Sequence, residues 1–170
     1  GSMSYYVVMA FFCALFIDAF GKSNLGALLA IEGAQFLKAM NLPSMVTIVG
    51  LIFLTAFVNL FVGSSSAKWA LLGPIFVPML MLIGYAPETI QAAYRIGDSV
   101  TNLITPMMSY FGLILAVATK YKKDMGIGTL VATMLPYSIV FLVGWVVLFY
   151  VWVFGFGLPV GPASPIYYQP

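Results

Sequence analysis

Apolar segments that approach the length of a bilayer crossing follow one another along almost the whole chain, each ended or interrupted by proline, glycine or an isolated ionisable side chain. A hydrocarbon core of about 30 Å needs about 20 helical residues to cross it, so these segments dictate helices in a membrane. Composition agrees: 62% of the 170 residues are apolar and 7% charged, against roughly 45–50% and about 25% in soluble domains. A water-soluble enzyme is therefore excluded. The sequence has no histidine and a single cysteine, Cys13, which removes Ser-His-Asp and Cys-His catalysis, His-ligated zinc and internal disulfides. The net charge of +2 is too small and scattered to attract nucleic acid.

The segments divide the chain. Residues 1–3, Gly1-Ser2-Met3, read as a tag remnant. Residues 4–40 hold an apolar segment, Tyr5 to Phe20, followed by an amphipathic helix from Leu25 to Met40 in which Leu25, Leu28, Leu29, Ala30, Phe36 and Leu37 alternate with Glu32, Gln35 and Lys38. Such a helix lies at an interface or against protein. Residues 41–86 form a helical hairpin whose tip is Gly63-Ser64-Ser65-Ser66. An uncharged tip, with Pro74 and Pro78 breaking the second arm, favours a re-entrant hairpin over two full crossings.

Residues 87–124 begin as a polar helix and turn apolar near Leu103, with Pro87 at the start and Thr105-Pro106 at the change both expected as structural breaks. Proline removes an N–H and crowds the carbonyl four residues back, so a discontinuous helix is expected here, with Thr105 forced out of helical geometry and the Asn102 carbonyl freed. Lys120, Lys122 and Lys123 form the one dense basic loop, which belongs in the cytoplasm by the positive-inside rule. Residues 125–170 return as a last transmembrane helix with a Gly/Pro-rich outer tail.

Two constellations carry chemistry. Gln91, Arg95, Asp98, Asn102 and Thr105 recur at steps of three or four and share one helix face. A charge at the centre of a spanning helix costs about 2.5–3.5 kcal/mol on insertion scales, so Arg95 and Asp98 must pair with each other, face water or bind something. A structural ion pair is the bland explanation. A polar translocation cavity is the functional one, favoured by the adjacent break at Pro106 and by Gly97, which admits a close neighbour. At the hairpin tip, Ser64, Ser65 and Ser66 offer hydroxyls and helix N-terminal N–H groups to an anion. Asn59 adds an amide and Trp69 an aromatic face. Serines also simply make turns, and a tryptophan near a helix end is often an interfacial anchor. An intramembrane aspartyl protease built on Asp18 and Asp98 is disfavoured, because Arg95 one turn away would hold Asp98 ionised.

The stretches Gly63-Ser-Ser-Ser-Ala-Lys-Trp-Ala-Leu-Leu-Gly-Pro, Ala92-Ala-Tyr-Arg-Ile-Gly-Asp-Ser-Val-Thr-Asn-Leu-Ile-Thr-Pro, Gly126-Ile-Gly-Thr and Met134-Leu-Pro-Tyr-Ser closely resemble the AbgT family of bacterial inner-membrane transporters. The resemblance implies an all-α membrane protein, half of an inverted-repeat transporter, combining transmembrane helices with a re-entrant hairpin and a proline-broken helix. It implies multi-pass insertion in the inner membrane, a homodimer in the full-length protein, and an N-terminal half beyond this chain. The implied function is ion-coupled transport of p-aminobenzoyl-glutamate-like folate catabolites or export of sulfonamide antimetabolites, with no enzymatic activity and no cofactor. By resemblance Asn59, Ser66, Trp69, Pro87, Arg95, Asp98 and Pro106 line the solute path. Asn59, Ser64, Ser65, Ser66, Trp69 and Arg95 are the expected solute contacts. Asp98, Asn102 and Thr105 are the expected coupling residues, exchanging a proton or holding Na+ near Asp98 and Asn102. The competing readings are a sodium-coupled carboxylate symporter of the same superfamily and a non-transporting membrane anchor subunit.

Overall fold

The computed structural model describes residues 11–168, apart from 13, 16, 17, 20, 21, 42, 107, 109 and 163. The tag remnant, Cys13 and most of the first apolar segment lie outside the described residues. The described chain is helical: α1 spans Leu25–Ala39, α2 Ser44–Asn59, α3 Ser65–Met81, α4 Pro87–Thr101, α5 Phe111–Tyr121 and α6 Ile127–Tyr150, the last running into a π turn over Val151–Gly155.

Helices α2 and α3 are the hairpin, with 16 and 17 residues, or about 24 and 26 Å at the α-helical rise. Both are shorter than a 30 Å hydrocarbon core. The arms part from one another. The first packs on α4 and the second on α1 and α4, so α4 is the axis around which the hairpin is built.

Gly97 is the reason α2 can come so close. A Cβ at this position would collide with the Ile52 carbonyl oxygen and lie 2.9 Å from Thr55 Cβ and 3.0 Å from Ala56 N. The expected close approach at Gly97 is thus a backbone-to-backbone seat for α2. The face of α2 that occupies it is Ile48, Leu51, Ile52, Thr55 and Asn59, all buried and spaced at helical intervals.

The amphipathic helix α1 lies against protein, burying Ala30 and Ala34 and half-burying Leu37. Leu25, Leu28, Leu29 and Phe36 are exposed. Small residues let α3 approach, with Met79 resting against Gly33, and packing of this kind drives helix association where lipid makes leucine burial neutral. Pro74 and Pro78 break nothing, since α3 runs through both. Their four-residue spacing puts the missing N–H groups on one side of the helix, and the ladder on the other sides persists. Pro87 does not interrupt a helix either, because it occupies the first position of α4, where a missing N–H costs nothing.

Pro106 behaves as expected. After α4 the chain tightens into a 3₁₀ turn, Asn102–Ile104, and Thr105 is extended at φ −90° and ψ 105°. The helix resumes only at Phe111. The Asn102 carbonyl is not freed, however, because it accepts the Thr105 N–H at 3.5 Å. Tightening from an i−4 to an i−3 bond recovers an acceptor that the proline would have orphaned.

Helix α6 belongs to a span of 29 residues, Ile127–Gly155, long and apolar enough to cross a membrane, and little of it is buried within the chain. The tail returns over the start of α4. Ala86 N–H donates to the Ile166 carbonyl at 3.2 Å and Tyr168 N–H to the Gly84 carbonyl at 2.8 Å. Thr89 Oγ1 donates to the Ile166 carbonyl at 3.1 Å, and the Tyr85 and Tyr167 rings stack at 6.1 Å. No short-range pattern in the tail announces this clasp.

Candidate functional site

The first turn of α3 faces the last turns of α4 across the end of α2, and the polar side chains of all three meet there. Ser64 caps α3, its Oγ accepting the Ala67 N–H at 3.4 Å. Beginning the helix at Ser65 aims Ser65 and Lys68, three residues apart, at α4. Lys68 is fully buried, and its ammonium lies 2.5 Å from Asp98 Oδ1, whose side chain is 3% exposed. The same ammonium donates to Asn59 Oδ1. Ser65 Oγ donates to the other carboxylate oxygen, Asp98 Oδ2, at 2.6 Å. Tyr94 OH donates to the Ser65 carbonyl at 2.8 Å, which ties the tip to α4 a second time.

Asn59 is the hub from the α2 side. Its Nδ2 faces the Asp98 carbonyl at 2.9 Å, Thr101 Oγ1 at 2.8 Å and Asn102 Oδ1 at 2.9 Å. An amide nitrogen has two hydrogens, so three acceptors already exceed its capacity. Thr105 Oγ1 closes the lower end, within 3.2 Å of the Asn59 carbonyl and 2.7 Å of the Thr101 carbonyl. The extended backbone at Thr105, imposed by Pro106, brings the end of this helix back toward α2.

The expected stripe on α4 therefore splits. Asp98 and Thr105 are buried and Asn102 is half-buried, while Gln91 and Arg95 are exposed. Residues 95 and 98 lie about 60° apart around a helix axis, enough to straddle the edge of the buried face. Arg95 is not the principal partner of Asp98. Its guanidinium is 3.7 Å from Asp98 Oδ2, and its side chain is 63% exposed, whereas Lys68 makes the short, sealed contact.

Asn59 and Ser65, expected as solute contacts, hydrogen-bond within the interior network. Ser64 and Ser66 are exposed at the tip. Trp69 is half-buried, its ring 4.7 Å from the Tyr94 ring at a 50° tilt, and its other neighbour is Gly73, where a Cβ would come within 3.3 Å of the indole. Arg95 opens on a different side, at the edge of an apolar cavity of about 440 Å³ lined by Ile96, Trp145, Leu148, Phe149 and Trp152. Thus Arg95 lines this cavity and Trp69 does not.

Lys68 is the residue that sequence reasoning missed. It is the only Asp, Glu, Lys or Arg between residues 41 and 86. That isolation was the available signal, because a lone charge in an apolar arm must find a counter-charge elsewhere. The missing partner made Asp98 appear to belong to Arg95.

The AbgT putative transporter family matches residues 1–168 of this chain. A p-aminobenzoyl-glutamate transport protein of Escherichia coli K12 is 38% identical over 160 residues, covering 94% of this chain and 31% of that protein. Among solved structures, the Alcanivorax borkumensis YdaH transporter matches with a TM-score of 0.83 and 54% identity, over 95% of this chain and 34% of that one. Neisseria gonorrhoeae MtrF, described within a class of antimetabolite efflux pumps, matches at 0.78 and 60% identity, over 96% and 33%. The chain spans about a third of the length of each relative.

Proposed function

This chain belongs to the AbgT putative transporter family, and on that footing we propose that it is the hairpin-bearing portion of an ion-coupled secondary transporter in the bacterial inner membrane. Its solutes are p-aminobenzoyl-glutamate-like folate catabolites or sulfonamide antimetabolites, moved without enzymatic chemistry and without a cofactor. The remaining portion of the transporter completes the solute path, and the whole works as a homodimer.

The observation that carries this reading is the buried Lys68–Asp98 pair, which joins the tip of the hairpin to the helix that is interrupted at Thr105-Pro106. Two charges sealed from solvent are costly to keep. Apolar side chains of similar volume often serve stability as well or better. A coupled transporter needs a charge whose state can change inside the bilayer, and the ends of discontinuous helices are where such sites are built. Asp98 is the coupling carboxylate, supported by Asn102 and Thr105 through Asn59.

Arg95, whose side chain is 63% exposed, neutralises the acidic group of the solute. Ser64 and Ser66 are exposed at the tip and offer hydroxyls, and the Trp69–Tyr94 pair offers the aromatic surface for an aryl ring. The test is flux of labelled p-aminobenzoyl-glutamate and of a sulfonamide in proteoliposomes carrying the full-length protein, with imposed pH or sodium gradients. Gradient-dependent movement of either aryl solute, competed poorly by succinate, supports the assignment. Preference for succinate under a sodium gradient would replace it with a carboxylate symporter.

A further inference from the structure

The oxygen cluster at the hairpin tip is built to hold a cation, and it already holds one. Asp98 Oδ1 and Asn59 Oδ1 both point at the Lys68 ammonium, while Ser65 Oγ satisfies the second carboxylate oxygen. A carboxylate and an amide carbonyl converging on one point, supported by a hydroxyl, are also the hard oxygen donors that an alkali cation takes. Lys68 reaches this point from α3, whereas the oxygens come from α2 and α4.

We propose that Lys68 is a tethered cation occupying the coupling site, so that the site exchanges protons with the surroundings and takes no sodium while Lys68 is in place. This deepens the coupling role given to Asp98 and rests on that reading. Among the described residues, the other ionisable groups facing the pair are Arg95, 3.7 Å from Asp98 Oδ2, and Tyr94, engaged with the Ser65 carbonyl, both on α4. The α2 side contributes Asn59, which does not titrate.

The cycle balances. A proton arriving on the Asp98 carboxylate gives a neutral acid and removes the counter-charge of the ammonium that faces it. The ammonium then releases one proton and becomes an amine. Transfer of the carboxylic proton to the amine restores the original pair, so one proton enters and one leaves. Opening of the pair removes the ionic tie between α3 and α4 and leaves the Tyr94–Ser65 bond at the tip, and that is how the proton exchange reaches the solute path.

The experiment uses the purified full-length transporter and two readouts. In proteoliposomes, wild-type flux should follow a pH gradient and ignore a sodium gradient at constant pH. In detergent, wild-type thermal unfolding should be the same in sodium chloride and in choline chloride. Lys68→Met should lose at least tenfold of the pH-driven flux and gain both a sodium-dependent thermal shift and retention of radioactive sodium. Because this variant leaves Asp98 unpaired and can fail to fold, Lys68→Met with Asp98→Asn supplies a neutral pair. That double variant should fold, show no sodium shift and carry no pH-driven flux. Wild-type flux driven by sodium, or pH-driven flux retained in either variant, overturns the proposal. A wild type that moves no solute under any gradient, combined with sodium binding gained in Lys68→Met, supports the tethered-cation site and removes the transport reading.

Discussion

The Lys68 ammonium lies 2.5 Å from Asp98 Oδ1, and both side chains are closed to solvent. This contact joins the second arm of the hairpin to the helix that organises the chain, and it fixes where α3 begins relative to α4. Removing one member of a buried pair leaves an uncompensated charge, at a cost of about 3–5 kcal/mol. Lys68→Ala and Asp98→Ala in the full-length protein are each expected to lower thermal stability by that order. Lys68→Met with Asp98→Asn should recover most of the loss. Measured by unfolding in detergent, additive losses in the double variant would show that the two side chains do not act as a pair.

Asp98→Asn separates coupling from solute recognition. The substitution keeps the shape and removes the charge, so gradient-driven flux should vanish while binding of p-aminobenzoyl-glutamate is partly retained. Calorimetry on purified protein and uptake into vesicles measure the two halves. Wild-type flux in this variant would remove Asp98 from coupling.

Arg95 should behave in the opposite way. Its side chain is largely exposed and its contact with Asp98 is long, so an interaction of this kind is worth only about 0–1 kcal/mol. Arg95→Ala is expected to leave unfolding nearly unchanged and to weaken acidic aryl ligands at least tenfold. A stability loss comparable to that of Lys68→Ala would mean that Arg95, too, belongs to the interior network.

Trp69→Ala tests the aromatic surface. Aromatic pairs contribute about 0.5–1.5 kcal/mol beyond area burial, so affinity for aryl ligands should fall by roughly that amount while free glutamate is unaffected. Fluorescence titration of both ligands makes the comparison. Equal losses would assign Trp69 to packing on Tyr94 alone.

Gly97→Ala probes the helix seat. The added Cβ meets the Ile52 carbonyl, and forcing extra volume into a close-packed contact costs about 1–3 kcal/mol. Gly50→Ala, on the exposed side of α2 with open space around it, should be neutral or stabilising by up to ~1 kcal/mol. Parallel thermal scans that rank the two alike would contradict the close approach of α2 and α4.

Much of this architecture was legible in the chain itself. The hairpin, the break after Asn102 and the need for a small residue at 97 follow from apolar length, from Thr105-Pro106 and from glycine beside charged residues. These are local properties, since hydrophobic thickness, a missing N–H and the absence of a Cβ act at the residue that carries them. Pro74 and Pro78 mark the limit of that reasoning. Proline disfavours a helix interior, yet packing of α3 against α1 and α4 holds the helix continuous through both.

What the sequence alone determined was the class of molecule: a helical membrane chain with one polar helix and one serine tip, and with too few charges for any of them to be idle. Which charge meets which was decided only by the tertiary structure. Lys68 and Asp98 are 30 residues apart, and no helical periodicity relates positions on different helices. Arg95, three residues from Asp98, is close by sequence arithmetic but turned to the exposed side. The deciding factor is the splay of the hairpin around α4, which brings the start of α3 and the end of α2 to one point and leaves the neighbouring arginine outside it.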